Sequence, residues 1–227
     1  MSLATVALSW RPCWRIIPSR FPPIGLFERV ADPADLDAIY VLESLTNPRL
    51  RDEVGVISLV PPEDRISGPH TSFIMAAFTH VNPEGSRFSD GSYGVYYAAQ
   101  DLETAIAETK HHRAKFMRAT AQAPQDIDMR VCCADLNATF HDLRGQQAEH
   151  GPVYDPEDYA PGQLLAKSLR KAGSDGLVYD SVRNRGGECV AVFRPRLLSN
   201  GRQERYLSYH WDGAEIAYVY EKRDARF

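Results

Sequence analysis

Near the C-terminus, "RYLSYHW" (205–211) and "AEIAYVY" (214–220) alternate apolar and polar residues on either side of Asp212-Gly213. Strand side chains point to opposite faces in turn, and Asp-Gly suits the tight turn that joins antiparallel neighbours, so 205–220 reads as a β-hairpin. The rest of the chain must build onto that antiparallel pair. "YGVYYAA" (93–99), "MRVCCADL" (129–136), "DGLVYDS" (175–181) and "GECVAVF" (187–193) are further strand-like runs, the last two separated by "VRNRGG". Helical patterns interrupt these runs without a βαβ repeat. The expectation is a single-domain α+β protein with a largely antiparallel mixed sheet and flanking helices.

Asp32 precedes Pro33 as an N-cap, and Leu36, Ile39, Tyr40 and Leu45 form an apolar stripe that Asn47-Pro48 stops, which predicts a helix. Asp101 caps a second helix from Leu102 to about Thr120, with Leu102, Ala105, Ile106, Thr109 and Phe116 inward and Glu108 at the border of that face. A third lies in "APGQLLAKSLRKAG" (160–173), closed by Gly173. "TSFIMAAFTHV" (71–81) is too short to sort into helix or strand by periodicity. "FERV" (27–30) reads as an edge strand and 48–70 as a long ordered excursion. Residues 1–25 show no clear periodicity and read as an irregular N-terminal arm. The domain proper then spans 26–227, with its core motifs in 26–194 and the hairpin at 205–220.

The chain has 227 residues, a net charge of −4 and a pI near 6.0, so it has no general basic field for a nucleic-acid backbone, and direct nucleic-acid binding is not expected. No apolar run approaches the ~20 residues of a membrane span, and "MSLATVALSWRPCWR" has no charge ahead of its apolar stretch, so a cytoplasmic protein without a signal peptide is expected. Cys13, Cys132, Cys133 and Cys189 form no CxxC pair and read as reduced, buried thiols.

The chemistry concentrates in "RFSDGSYGVYYAAQDLETAIAETKHH" (87–112). Tyr96 and Tyr97 point to opposite faces, so one of them is free to line a cleft. Thr104 and Glu108 lie one helical turn apart on the same side. A helix N-terminus with Arg87 beside it has the donors to hold a phosphate. Arg87, Tyr97 and Glu108 therefore suggest an anion donor, an aromatic ring and a carboxylate around one strand-to-helix turn.

The run "SRF…GVYYAA…TAIAE", preceded by "FERV" and followed by "DGLVYDSVRNRGG", resembles the RES-domain family over roughly residues 26–194. That family comprises the toxins of bacterial Xre–RES toxin–antitoxin modules, similar in fold to ADP-ribosyltransferases of the diphtheria-toxin type. The resemblance implies an NAD-consuming enzyme with Glu108, Arg87 and Tyr97 as catalytic residues, and with Arg29, Arg87, Tyr97, Thr104 and Ser181 binding NAD. Val30 stands where some members have tyrosine, and Ala160 where some have serine. The resemblance further implies NAD as substrate, inorganic phosphate as a possible acceptor, and a cognate Xre-like helix-turn-helix antitoxin. It is compatible with homo-oligomers or toxin–antitoxin hetero-oligomers.

One carboxylate suffices for this substrate. Ordinary glycosidases need a second carboxyl group to protonate an alkoxide leaving group, whereas the nicotinamide of NAD is a cationic pyridinium that departs neutral. Glu108 would stabilise the ribosyl cation, Tyr97 would stack on nicotinamide, and Arg29 and Arg87 would hold pyrophosphate or an acceptor phosphate. Three outcomes stay open: an NAD phosphorylase, an NAD glycohydrolase, or a mono-ADP-ribosyltransferase acting on a protein. Outside this class, a non-enzymatic protein-interaction domain would use "RNRGG" and "FRPRLLSNGRQER" (193–205). Metal catalysis through "ETKHH" is disfavoured, because adjacent His111 and His112 point about 100° apart on a helix. Nucleophilic catalysis by Cys132 or Cys133 fits poorly with an apolar strand, and no metal is expected.

Overall fold

The computed structural model describes residues 3–19, 26–29, 32–36 and 55–223. Its first strand, β1 (Thr5–Pro18), occupies the stretch expected to be an irregular arm. Leu8, Trp10, Cys13 and Ile16 are buried along it, and the register against its neighbour shifts between Trp10 and Cys13. Pro12 sits at that shift. It cannot donate to a ladder and is confined to edges and bulges, so it breaks the alternation that would otherwise have marked the strand.

The remaining strands are β2 (Tyr96–Ala99), β3 (Gln125–Asp142), β4 (Gly176–Asp180), β5 (Glu188–Val192), β6 (Leu198–Trp211) and β7 (Ile216–Lys222). "MRVCCADL" is thus the centre of a much longer strand. The order is β1-β2-β5-β4-β3-β6-β7, and β1 also pairs with β3. These pairings close β1, β2, β5, β4 and β3 into a ring from which the β6–β7 hairpin extends. All pairs are antiparallel except β3–β4, joined in parallel at His141↔Leu177 and Asp142↔Val178. The α+β, largely antiparallel architecture and the C-terminal hairpin read from the sequence are borne out.

Helices longer than one turn, among the described residues, are α1 (Ser72–Thr79), α2 (Leu102–Ala119) and α3 (Ala160–Lys171). The ambiguous apolar run at 71–81 is therefore a helix, with Ile74, Met75 and Phe78 buried at helical spacing. "FERV" is not an edge strand: Leu26–Arg29 is a single helical turn that buries Phe27. Asp32 accepts from the Ala34 N–H at 2.9 Å and opens a 3-10 turn, Pro33–Asp35, as its capping chemistry suggests. The rest of the helix expected up to Asn47 lies outside the described residues. The excursion before α1 contains two 3-10 turns, Ile57–Leu59 and Pro62–Asp64, that bury Ile57 and Val60.

Two core layers lie on opposite faces of the sheet. Tyr96 points into the layer under α1, with Met75, Phe78, Leu136 and Phe140. Tyr97 points into the other, which α2 and α3 cover with Ala105, Met117 and Ala166. Phe116, expected inward, is 40% exposed with the Arg113 guanidinium over its ring, and Met117 takes the buried place. The polar run "ETKHHRAK" leaves that helix few apolar residues to set the phase. All four cysteines are free and buried. Burial pushes the Cys13 thiol up to about 12 and Cys132 and Cys133 to about 11, which leaves them poor nucleophiles. Among the described residues, no helix is long and apolar enough to cross a membrane.

Candidate functional site

The site begins at the turn from β2 into α2. Asp101 caps the helix: one carboxylate oxygen accepts from the Thr104 N–H at 2.7 Å and the other from its hydroxyl at 2.9 Å. The Asn184 side-chain amide donates to the same hydroxyl at 2.9 Å. Thr104 is fully buried and its hydrogen-bonding capacity is taken up by protein, so it fastens the loop after β4 to the helix end. Gly187 permits this contact, since a Cβ there would lie 2.3 Å from Thr104 Oγ1.

That loop delivers Ser181 to Glu108. The Ser181 hydroxyl donates to Glu108 Oε1 at 2.6 Å and accepts from the N–H groups of Arg183 at 3.1 Å and Asn184 at 2.9 Å. Fixed on three sides, the hydroxyl sets the direction of the carboxylate. Cys189 Sγ lies 4.0 Å from the same Glu108 oxygen. Burial first, and then the Glu108 charge, push that thiol far up and keep it protonated.

Tyr97 anchors the neighbouring segment. Its hydroxyl pairs with Ser86 Oγ at 2.8 Å and accepts from the Phe88 N–H at 2.9 Å, bracketing Arg87. Burial holds its phenol well above the ordinary range, so it stays neutral. Phe88 stands between Tyr97 and Tyr179, with centroids at 6.5 and 4.9 Å, and joins this segment to β4. Arg87 Nη1 donates to the carbonyls of Val153 at 2.9 Å and Asp155 at 2.8 Å, and its guanidinium lies 4.8 Å from the Tyr159 ring centroid. Among the described residues it makes no ion pair.

Glu108 and Ser181 are therefore in direct contact, while Arg87 and Tyr97 are linked through Ser86 and Phe88. Thr104 supports the site from behind. Arg29 lies in the Leu26–Arg29 turn, with its side chain outside the described residues. Its neighbour Glu28 borders a groove of about 950 Å³ that also reaches Tyr97, Ser86, Arg130 and Arg15.

Arg15 was not legible as a candidate. It donates from Nη1 to the Tyr97 carbonyl at 2.9 Å and lies 4.8 Å from the centroid of the Tyr96 ring. An arginine amid the apolar residues of "CWRIIP" is a signal, but only once that stretch is known to be a strand.

His111 and His112 follow Glu108 along α2. His112 is exposed on one side and surrounded by protein on the others. That desolvation, followed by the charges of Arg183, Arg113, Arg87 and Lys115, pushes its imidazole down to about 4. His111 Nε2 lies 4.0 Å from Glu157. No group of three or more His, Cys, Asp or Glu is arranged to hold a metal among the described residues.

The model of the RES domain matches residues 62–212. The chain belongs to the RES-domain family. The matched RES segment contains Arg87, Tyr97, Thr104, Glu108 and Ser181, and leaves Arg15 and Arg29 outside it. The chain is 31% identical over 214 residues to an uncharacterized protein, y4oC, of Sinorhizobium fredii, covering 93% of this RES protein and 88% of that one. It also superimposes on a chain of the M. tuberculosis MbcT–MbcA toxin–antitoxin complex with a TM-score of 0.47 and 12% identity, over 90% of this chain and 86% of that one.

Proposed function

We propose that this RES-domain protein is the toxin of a toxin–antitoxin module and cleaves NAD at the nicotinamide–ribose bond. The observation that carries this reading is the 2.6 Å hydrogen bond by which buried Ser181 orients Glu108, on a helix whose start is locked to the Ser181 loop. A single aligned carboxylate matches the chemistry, because a departing pyridinium needs no general acid. Glu108 accepts from a ribose hydroxyl and stabilises the cation at the ribosyl carbon as the bond to nicotinamide lengthens. Ser181 acts as a positioning residue. Arg87, held on two carbonyls by Nη1, offers its remaining N–H groups to the pyrophosphate. Tyr97 presents its ring to the nicotinamide and keeps the Arg87 segment in place.

The partner in this reading is an Xre-like antitoxin that blocks the cleft, which membership of the RES-domain family supports. The reaction is tested by incubating the purified chain with NAD, with and without inorganic phosphate, and separating the products by chromatography. Nicotinamide with ADP-ribose phosphate identifies a phosphorylase, and nicotinamide with free ADP-ribose a glycohydrolase. No nicotinamide release until a protein acceptor is added identifies a mono-ADP-ribosyltransferase. No release under any condition leaves the non-enzymatic binding role.

A further inference from the structure

β7 ends the strand order and, among the described residues, pairs with β6 alone, so its other side presents backbone N–H and C=O groups without a strand partner. Tyr206, Ser208 and His210 of β6 stand opposite Lys222, Tyr220 and Tyr218, which places all of them on one face of the hairpin. The other face belongs to the core under α2, where the Tyr209 hydroxyl meets Thr109 Oγ1 at 2.7 Å. Tyr218 and Tyr220 are 60% and 52% exposed, with ring centroids 6.1 Å apart, and the His210 ring lies 6.2 Å from that of Tyr218. Proteins usually blunt such an edge with proline, unanswered charge or a bulge. Ile216–Lys222 contains no proline. Its charges are answered within the chain, Glu221 by Arg205 at 3.1 Å and Arg223 at 2.7 Å, and Lys222 by Asp128. Only a bulge is present: the register against β6 shifts between His210 and Trp211, where Ala217 is the extra residue.

We propose that this edge is an interface between two copies of the chain, with Tyr218–Lys222 of each β7 paired antiparallel about a two-fold axis at Tyr220. The bulge at Ala217 restricts regular pairing to Tyr218–Lys222, and an axis at Tyr220 is the register that matches this whole segment with itself. Tyr220 then meets Tyr220 of the second copy. Lys222 stands opposite Tyr218 as a cation beside a ring, and Glu221 stands opposite Val219, so no like charges face each other. An axis at Glu221 would oppose two carboxylates, and one at Val219 would carry the pairing into the bulge. The two-fold keeps the tyrosines of both copies on one face and consumes both free edges, which stops further strand addition. Exposed as they are, these tyrosines contribute at most about 350–550 Å² from the two copies together. With the strand edges added, the interface falls at or below the low end of the ~1,200–2,000 Å² of stable complexes, so the dimer is reversible and concentration-dependent. It is independent of the NAD-cleaving reading.

Sedimentation velocity of the full-length protein is expected to show a monomer–dimer equilibrium that moves toward twice the mass of one chain as concentration rises. Tyr220→Asp sets two carboxylates against each other at the axis and is expected to weaken dimerisation about tenfold or more. Because Tyr220 is exposed within one chain, thermal unfolding of the dilute protein should not change. Cysteine cross-linking reads the register. Tyr220→Cys faces its own copy at the ~4.5–5.5 Å Cα separation of an antiparallel pair and is expected to form an intermolecular disulfide under mild oxidation, whereas Tyr218→Cys, opposite Lys222, is not. The native cysteines are all buried, so the wild type supplies the uncross-linked background. A wild type that stays monomeric at every concentration, a dimer that Tyr220→Asp leaves intact, or cross-linking at position 218 and not at 220 would overturn the proposal.

Discussion

The inner clamp and the outer rim of the site are built on opposite principles. In the clamp, Thr104, Asp101, Asn184, Ser181 and Glu108 satisfy one another at 2.6 to 2.9 Å, with Thr104 and Ser181 buried. In the rim, Arg87 and Arg183 are moored on backbone carbonyls, Lys115 and Arg183 share the exposed Glu157, and His112 stands exposed beside them on α2. Low dielectric makes each clamp bond consequential and each unpaired group costly, whereas rim charges are screened. Stability and carboxylate alignment therefore reside in the clamp. Charge available to a ligand resides in the rim.

Substitutions can break that division. The largest expected effect among the supporting residues is catalytic: Ser181→Ala frees Glu108 and lowers kcat for NAD cleavage roughly tenfold to a hundredfold, below the ~10²–10³ loss of a direct transition-state donor. Steady-state kinetics should show the KM for NAD changing little, and a rise in KM at constant kcat would contradict a positioning role. Next, Gly187→Ala drives a Cβ toward Thr104 Oγ1, 2.3 Å away, and forces the loop off the helix. Urea unfolding is expected to record a loss of about 1–3 kcal/mol, as for overpacking elsewhere. An unchanged midpoint would show that the clamp yields freely.

The rim should respond to pH instead. The folded pKa of His112, about 4, lies below its ordinary value of 6.5, so the unfolded chain binds more protons between these values. The stabilising contribution is complete above about 6.5 and is lost as pH falls toward 4. His112→Gln is expected to flatten that part of the stability–pH profile, and an unaltered slope would assign it to other groups. The smallest effect belongs to Glu157→Gln. Its carboxyl is held below the ordinary range chiefly by Lys115 and faces solvent, so thermal unfolding should be unchanged. A clear loss of stability would make the rim part of the scaffold.

The sequence displayed the hairpin and the helix after Asp101, because each rests on local chemistry: an Asp-Gly turn and a capping aspartate. Glu108 and Ser181 were named separately through the family resemblance, and their contact across 73 residues has no local signal. Tyr96 and Tyr97 separated onto two faces as period-two geometry requires. Arg15 stayed hidden because Pro12 interrupts the alternation of β1 and moves its register against β3. Phe116 was placed on the wrong face because α2 has too little apolar content to fix its rotation. The loop clamp was not legible at all, since Asn184 and Thr104 meet through an 80-residue separation that no local pattern encodes.

In the proposed reaction, stabilisation of the developing ribosyl cation falls to Glu108. It is tested most directly by measuring nicotinamide release from NAD by the full-length protein and by Glu108→Gln side by side, with phosphate present and the fold of each checked by thermal unfolding. The expected result is release by the wild type and a rate at least ~10²-fold lower in the folded variant, the scale of losing a preorganised electrostatic contact. Equal release by two folded proteins would contradict it.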